Sequence, residues 1–288
     1  MSKVAITGAS GFVGTSLHQI YTQNGFDVLA ITRTDILDVE KLSNILDGCD
    51  IVINLAGANI INRWTEEYKE LLYSSRINTT KNLLEAMKLT KTKPKLFIST
   101  SAVGIYSNKK QYDEDTIEYA DDFLGKLCQK WEEEALKATS LDIRTVVFRF
   151  GIVMGHGGAL GKMMLPFKLG LGGTIGNGKQ AFSYIHIEDL KNAFLYVTNN
   201  ELTSGVYNMT APVPTTNYGL TKALGKSLHR PTILPVPAFI LDLIFSEGSK
   251  VLTDGQEVVP KRLLDAGFEF KFQTIEETID NLVSWFLY

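Results

Sequence analysis

The sequence predicts an α/β fold: a doubly wound parallel sheet with helices on both faces, followed by a smaller C-terminal α/β domain. Three observations carry that prediction. The chain opens with an apolar run, Val4-Ala5-Ile6-Thr7, which feeds into Gly8-x-x-Gly11-x-x-Gly14 and then a helix-like segment. Strand and helix signals alternate through the first half, which implies a parallel sheet covered on both faces. After Gly151 the alternation gives way to a Gly-rich stretch over 151–180. Beyond Ser204 short elements follow, broken by Pro212, Pro214, Pro231, Pro235 and Pro237.

Residues 4–7 read as the first strand and 11–24 as the first helix. The turn Asn24-Gly25 precedes a second strand at 27–32. A short helix at 39–46, a strand at 51–54 and a long helix at 65–89 come next. In the long helix Leu71, Leu72, Leu83, Leu84 and Met87 recur at three- and four-residue steps. Pro94 punctuates before a strand at 96–99. A helix at 123–139 turns Leu127 and Trp131 inward and Glu132–Glu134 largely outward, and a strand follows at 143–148. A helical stretch at 162–169, strand character at 181–187 and a sheet-covering helix at 187–199 complete the regular elements. The expected division is a dinucleotide-binding domain over 1–152 plus 181–203 and a smaller substrate or cap domain over 153–180 plus 204–288.

The opening motif has a physical rationale as a pyrophosphate site. Gly8 permits the tight turn, Gly11 lets the backbone approach the phosphates, and Gly14 lets the helix pack on the strand. The free N–H groups and the helix dipole then face the anion. Strand, glycine turn and helix occur in the order such a site needs. The end of the second strand selects the dinucleotide. NAD sites usually place an acid there for the ribose hydroxyls. This chain has Thr32 followed by Arg33, and a guanidinium suits the extra 2′-phosphate of NADP. Arg33 as a solvated loop cation, and Asp35 as a displaced ribose partner, remain open alternatives. Asn54-Leu55-Ala56-Gly57-Ala58 ends the next strand with small residues that let a cofactor lie against the backbone. The candidate cofactor contacts are Gly8, Ser10, Gly11, Phe12, Val13, Gly14, Thr32, Arg33, Leu55, Ala56, Gly57 and Arg76.

Bulk composition narrows the partners. The chain has 288 residues, enough for a full core, and its net charge of −3 gives no basic footprint for nucleic acid. The apolar stretch from Pro237 to Phe245 is too short to span a bilayer and carries Asp242, so no membrane is expected as a partner. Cys49 and Cys128 read as buried thiols rather than a disulfide, which fits a reducing cytoplasm. No leader is expected, because the first strand begins at Lys3. The four histidines show no metal-ligand spacing. His186 alternates with apolar residues and reads as a buried structural histidine, with Asp189 capping the next helix.

Over essentially its whole length the chain resembles an atypical extended short-chain dehydrogenase/reductase, of the branch called the epimerase family, with that family's C-terminal domain. The resemblance rests on the glycine turn in 6–14, Asn54-Leu55-Ala56-Gly57-Ala58, Ser74-Ser75-Arg76, and segments 98–106, 123–133, 149–161, 165–189 and 252–264. It implies a Rossmann-type core, NADP(H) as cofactor, and a dimer formed through the two long helices that follow the third and fourth strands.

The usual enzymes of that superfamily use a Ser or Thr and then Tyr-x-x-x-Lys, with the phenol supplying a proton as the nicotinamide supplies a hydride. Ser101 matches the serine. Phe123 and Leu127 stand where the tyrosine and lysine would be, and Lys126 points about 100° away around the helix. Of two literal Tyr-x-x-x-Lys strings, Tyr106–Lys110 lies on a loop at the active edge and makes Tyr106 a candidate displaced acid. Tyr218–Lys222 reads as packing in the second domain. Arg76 replaces an asparagine of the usual enzymes and suggests an anion nearby, with a salt bridge to Glu70 as the alternative. Lys162, Lys168 and Lys179 read as a solvated face, with contact to an acidic substrate as the alternative. Two functions stay open: an NADP(H)-dependent oxidoreductase or epimerase acting on a small polar substrate, with Ser101, Tyr106 or a water as proton donor, and an NADP(H)-binding sensor or interaction protein without turnover.

Overall fold

A computed structural model describes residues 1–284. The described chain runs β1 (Lys3–Thr7), α1 (Phe12–Gln23), β2 (Asp27–Ile31), α2 (Arg33–Leu37), α3 (Val39–Leu46), β3 (Ile51–Asn54), α4 (Glu66–Leu89) and β4 (Leu96–Ala102). It continues through β5 (Gln111–Tyr112), α5 (Phe123–Leu136), β6 (Arg144–Phe150), β7 (Ile152–Met154), α6 (Gly158–Lys168), β8 (Tyr184–His186) and α7 (Ile187–Asn199). The last described elements are β9 (Gly205–Met209), α8 (Asn217–Leu228), α9 (Ala238–Phe245), α10 (Lys250–Thr253), β10 (Glu257–Val258), α11 (Lys261–Asp265) and α12 (Ile275–Ser284).

Six strands form one parallel sheet in the order β2-β1-β3-β4-β6-β9. Two-residue periodicity sorts their side chains to opposite faces. Val4, Ile6, Ile51, Ile53 and Ile98 join Leu17 and Tyr21 of α1 and Leu190 and Phe194 of α7 in one core layer. Ala5, Val52, Phe97 and Val147 join Leu42 and Leu46 of α3 and Leu83 and Met87 of α4 in the other. Helix starts are fixed by local capping: Asp38, Thr65 and Asp122 accept from backbone N–H groups at Lys41, Tyr68 and Gly125.

A smaller core gathers Leu160, Met164 and Phe167 of α6, Leu220 and Leu224 of α8, and Ile279 and Leu282 of α12. The expected division at 203/204 needs correction here. Gly205–Met209 is the sixth strand of the main sheet, paired with β6. Leu263, Phe268 and Phe270 pack in the main core, and Tyr184 belongs to the smaller one. β8 pairs with β7 outside the main sheet, a short pairing the Gly-rich stretch did not announce.

Other expectations shift locally. Thr32 does not end β2: it caps α2, in a reciprocal capping box with Asp35. Glu132 and Glu134 are buried rather than outward. His186 is buried as expected, but it, not Asp189, caps α7: its Nδ1 accepts from the Glu188 N–H at 3.0 Å. Burial holds its pKa down at about 4. Asp189 instead accepts from the N–H groups of Lys271 and Phe272, tying down a segment about eighty residues away. Tyr218 is exposed rather than packed, with Lys222 over its ring. Both cysteines are free and buried. Among the described residues, no helix is long and apolar enough to cross a membrane, and no acid, histidine and cysteine cluster could hold a metal ion.

Candidate functional site at the C-terminal edge of the sheet

The strand order reverses between β1 and β3, and ligands of open α/β sheets bind outside the strand ends at such a point. A buried polar ladder shapes the edge there. Thr7 Oγ1 donates to Asn54 Oδ1 at 2.8 Å and accepts from the N–H groups of Leu55 and Ala56. Asn54 Nδ2 donates to Thr80 Oγ1, and Trp131 Nε1 donates to the same oxygen. The turn after β1 is thereby locked to the loop after β3.

Gly8 lies at φ +68°, and a Cβ there would stand 2.9 Å from the Leu55 carbonyl oxygen. At Gly14 a Cβ would stand 2.2 Å from the Gly8 oxygen. The turn is therefore packed backbone to backbone, which only glycine allows. α1 begins at Gly11 without any side-chain cap, so its first N–H groups stay open toward the edge, beside exposed Ser10. Val13 is half-buried against the main core. The Phe12 ring fills a slot of small residues: a Cβ at Gly155, Gly157 or Gly158 would lie 2.6–3.0 Å from it. That contact accounts for the glycines after β7.

Beside β2, Arg33 is exposed. Asp35 is committed elsewhere: Lys41 and Thr32 hold its carboxyl at about 2, through the Lys41 ion pair at 2.7 Å and the capping bonds. It is therefore not free as a displaced ribose partner. At the β3 loop, Gly57 is exposed and the Arg76 guanidinium packs beneath it. Ser75 Oγ accepts from the Ala58 N–H, and Arg76 Nη2 donates to the Ala58 carbonyl at 3.0 Å, so Ser75 and Arg76 clamp this residue from both sides. The guanidinium also stacks on Trp131, 5.2 Å from the ring centroid. Among the described residues no carboxylate pairs with it, so the salt bridge to Glu70 does not form. Burial pushes its pKa down, yet an arginine stays charged at neutral pH.

The catalytic candidates separate. Ser101 lies near the end of β4, 3% exposed, with no oxygen or nitrogen partner for its Oγ and the buried Cys128 thiol beside it. Tyr106 is fully buried. Its hydroxyl donates to Asn208 Oδ1 at 2.8 Å and accepts from Arg149 Nη1 at 2.6 Å. Burial raises its pKa to about 12 against the opposing pull of Arg149. Arg149 in turn makes a two-pronged pair with Glu132, at 2.8 and 2.7 Å. Burial would depress the arginine, but this carboxylate outweighs it and holds the guanidinium above its usual value. Phe123 and Leu127 join Trp64, Leu72, Ile77 and Trp131 in an apolar cluster between α4 and α5. Lys126 points outward and pairs with Asp121 at 2.8 Å.

Glu132, Asn208 and Thr7 were not singled out from sequence. Glu132 had one usable sign, its place one turn beyond Cys128 on the helix face that meets β6. The Thr7–Asn54–Thr80 ladder had none, since its members are scattered along the chain.

Whole-chain comparisons agree with this architecture. The profile of the NAD dependent epimerase/dehydratase family matches residues 4–210. The chain belongs to that family. A second profile, a domain of unknown function called DUF1731, matches residues 236–282. The chain is 37% identical to the epimerase family protein YfhF of Bacillus subtilis, covering 98% of each. It is 38% identical to the mouse epimerase family protein SDR39U1, covering 98% of this chain and 100% of that one. The crystal structure of human SDR39U1 (isoform 2) with NADPH superposes with a TM-score of 0.89 at 33% identity, over 98% of this chain and 99% of that one. Structures of sugar-nucleotide 4-epimerases below 25% identity share the fold.

Proposed function

We propose that this chain binds NADP(H) and presents it as a hydride carrier to a small polar substrate held at Ser101. The observation that carries the reading is the Ser101 hydroxyl, buried at the active edge with only the weak Cys128 thiol beside it. A thiol is a poor hydrogen-bond partner, so a bound substrate oxygen or water would satisfy this hydroxyl better. The cofactor half rests on the glycine cradle, the uncapped α1 N-terminus and the human relative solved with NADPH. Gly8, Ser10, Gly11, Phe12, Val13 and Gly14 would surround the pyrophosphate. Leu55, Ala56 and Gly57 would lie along the adenosine side, with Arg76 fixing their loop. Thr32 shapes the turn that presents Arg33, which would hold the 2′-phosphate by charge-assisted bonds. The bound nicotinamide would supply the hydride chemistry; the chain orients the substrate oxygen and excludes water.

The proton would come from Ser101 or from a water it holds. Tyr106 is a poor donor here, since its proton is committed to Asn208. A second reading, NADP(H) binding without turnover, is favoured by one observation: apolar Phe123 and Leu127 occupy the positions of the usual proton-transfer pair. The two separate by assay. NADPH and NADH are titrated by fluorescence, and NADPH oxidation is followed over aldehydes, ketones and sugar nucleotides with wild type and Ser101→Ala. The hydride reading expects tighter NADPH binding and turnover that Ser101→Ala lowers about 100-fold, the scale of one general acid. Binding with no turnover on any substrate replaces it with the second reading, and failure to bind NADPH refutes both.

A further inference from the structure

The helix α9 is apolar on every side, Ala-Phe-Ile-Leu-Asp-Leu-Ile-Phe, yet none of its residues is buried. A helix that is apolar all round is normally enclosed in a core or a bilayer. Here Phe239 is 68% and Leu243 74% exposed, and Ile244 is exposed beside them. The segment leading into it adds Ile233, 76% exposed, and Leu234. This segment is joined to the end of α6. The Val236 N–H donates to the Thr174 carbonyl at 2.7 Å, and Arg230 Nε donates to the Lys168 carbonyl at 2.9 Å. The α6 side brings exposed Leu165, Leu169 and Leu171. Exposed large apolar side chains thus gather on two joined segments, more than the singly scattered ones that a monomer's surface ordinarily carries.

The two segments that join α6 to α9 are basic. Segments 156–183 and 202–241 carry Lys162, Lys168, Lys179, Lys222, Lys226 and Arg230 and not one Asp or Glu, in a chain whose acids outnumber its bases, 32 to 29. Lys162, Lys226 and Arg230 are exposed, and among the described residues no carboxylate pairs with them. α9 itself carries one carboxylate, Asp242, and Glu247 lies just beyond its end. Asp242 accepts from Ser249 Oγ at 2.6 Å, and Glu247 pairs with Lys69 at 2.6 Å. An apolar surface bordered by exposed Lys162, Lys226 and Arg230 matches an anionic lipid surface, where aliphatic and aromatic side chains enter the headgroup region and lysines meet lipid phosphates. A second copy of the chain fits less well, because two-fold pairing of this face would set the same cations against each other.

We propose that the α6–α9 face docks peripherally on anionic bilayers, against the expectation of no membrane partner. Flotation of the full chain with phosphatidylcholine vesicles, with and without phosphatidylglycerol, tests it. The protein is expected to float with the anionic vesicles and to be largely released by high salt. Phe239→Asp combined with Leu243→Asp should weaken partitioning at least about tenfold, as should Lys162→Glu combined with Lys226→Glu. All four positions are exposed, so NADPH affinity and melting temperature should stay at wild-type values, which verifies the fold. Any of three results overturns the proposal: no flotation with anionic vesicles, equal flotation with both vesicle types, or a concentration-dependent dimer that the Phe239→Asp/Leu243→Asp pair dissolves.

Discussion

Replacing Gly14 with alanine sets a methyl carbon 2.2 Å from the Gly8 carbonyl oxygen and 2.7 Å from the Ala9 Cα. Comfortable contact is about 3.5 Å, so α1 must lift by roughly 1 Å or the turn must open. Both neighbours are backbone and neither can rotate away. The cost falls at the upper end of overpacking, about 3 kcal/mol, a large share of a typical stability of about 5–15 kcal/mol. At roughly 2–4 °C per kcal/mol the melting temperature drops by about 6–12 °C. Because the open N–H groups ride on α1, NADPH affinity falls about tenfold or more as well. Gly11→Ala is the control. Its methyl carbon meets only the Gly8 oxygen, at 3.2 Å, and the helix start tolerates alanine for about 1 kcal/mol or less. Urea unfolding of both variants gives the stability ranking; Gly11→Ala is a control for stability only, because Gly11 is itself placed against the pyrophosphate. A Gly14→Ala protein with wild-type stability and NADPH affinity, or a Gly11→Ala protein less stable than it, would refute the packing argument.

Arg33→Ala should cost NADPH about 10–100-fold in affinity and NADH almost nothing, measured by parallel titration. Equal losses for both cofactors would remove Arg33 from the 2′-phosphate. Tyr106→Phe leaves Arg149 and Asn208 short of a partner and should lower stability by about 1–3 kcal/mol in urea while any turnover persists; loss of turnover at unchanged stability would restore Tyr106 as the acid. Glu132→Gln strands the buried Arg149 charge and should cost about 3–5 kcal/mol. A melting temperature within a degree or so of wild type would contradict that pairing. His186 is neutral in the folded protein down to about pH 4, against 6.5 unfolded. The unfolded chain binds the extra proton between those values, so stability falls as pH drops through that window, by up to about 3 kcal/mol at its foot. His186→Asn keeps a capping side chain and should flatten that part of the profile; an unchanged slope in melts from pH 7 to 4.5 would count against it.

What could be read from sequence was local. The β1 turn was legible because three glycines in seven residues state the backbone requirement themselves. The missing Tyr–Lys pair was legible because positions one helical turn apart need no fold to relate them. The capping box of Thr32 and Asp35 was also local, three residues apart, and its signal was present in the sequence though Thr32 was read for the cofactor. The rest depended on distance. Nothing near 205–209 says which sheet takes that strand, because a short strand such as Gly-Val-Tyr-Asn-Met is recruited by whatever edge lies open. Asp189 looks like any acid at a helix start until Lys271 and Phe272 arrive beside it. Tyr106 looks like a displaced acid until Arg149 and Asn208 enclose it from strands more than forty and a hundred residues away.

Asn208 holds four pieces of chain at once. Its amide accepts from Tyr106 and donates to the Val259 carbonyl, and its backbone N–H donates to Glu114 Oε1, all from the sixth strand of the sheet. With Leu263, Phe268 and Phe270 in the main core, the two stretches recognised as separate sequence families share one interior. Such a seam leaves neither stretch a complete interior of its own, so that a cut between 210 and 236 would part residues of one core. Calorimetry should therefore see one cooperative transition where the family boundaries alone would suggest two.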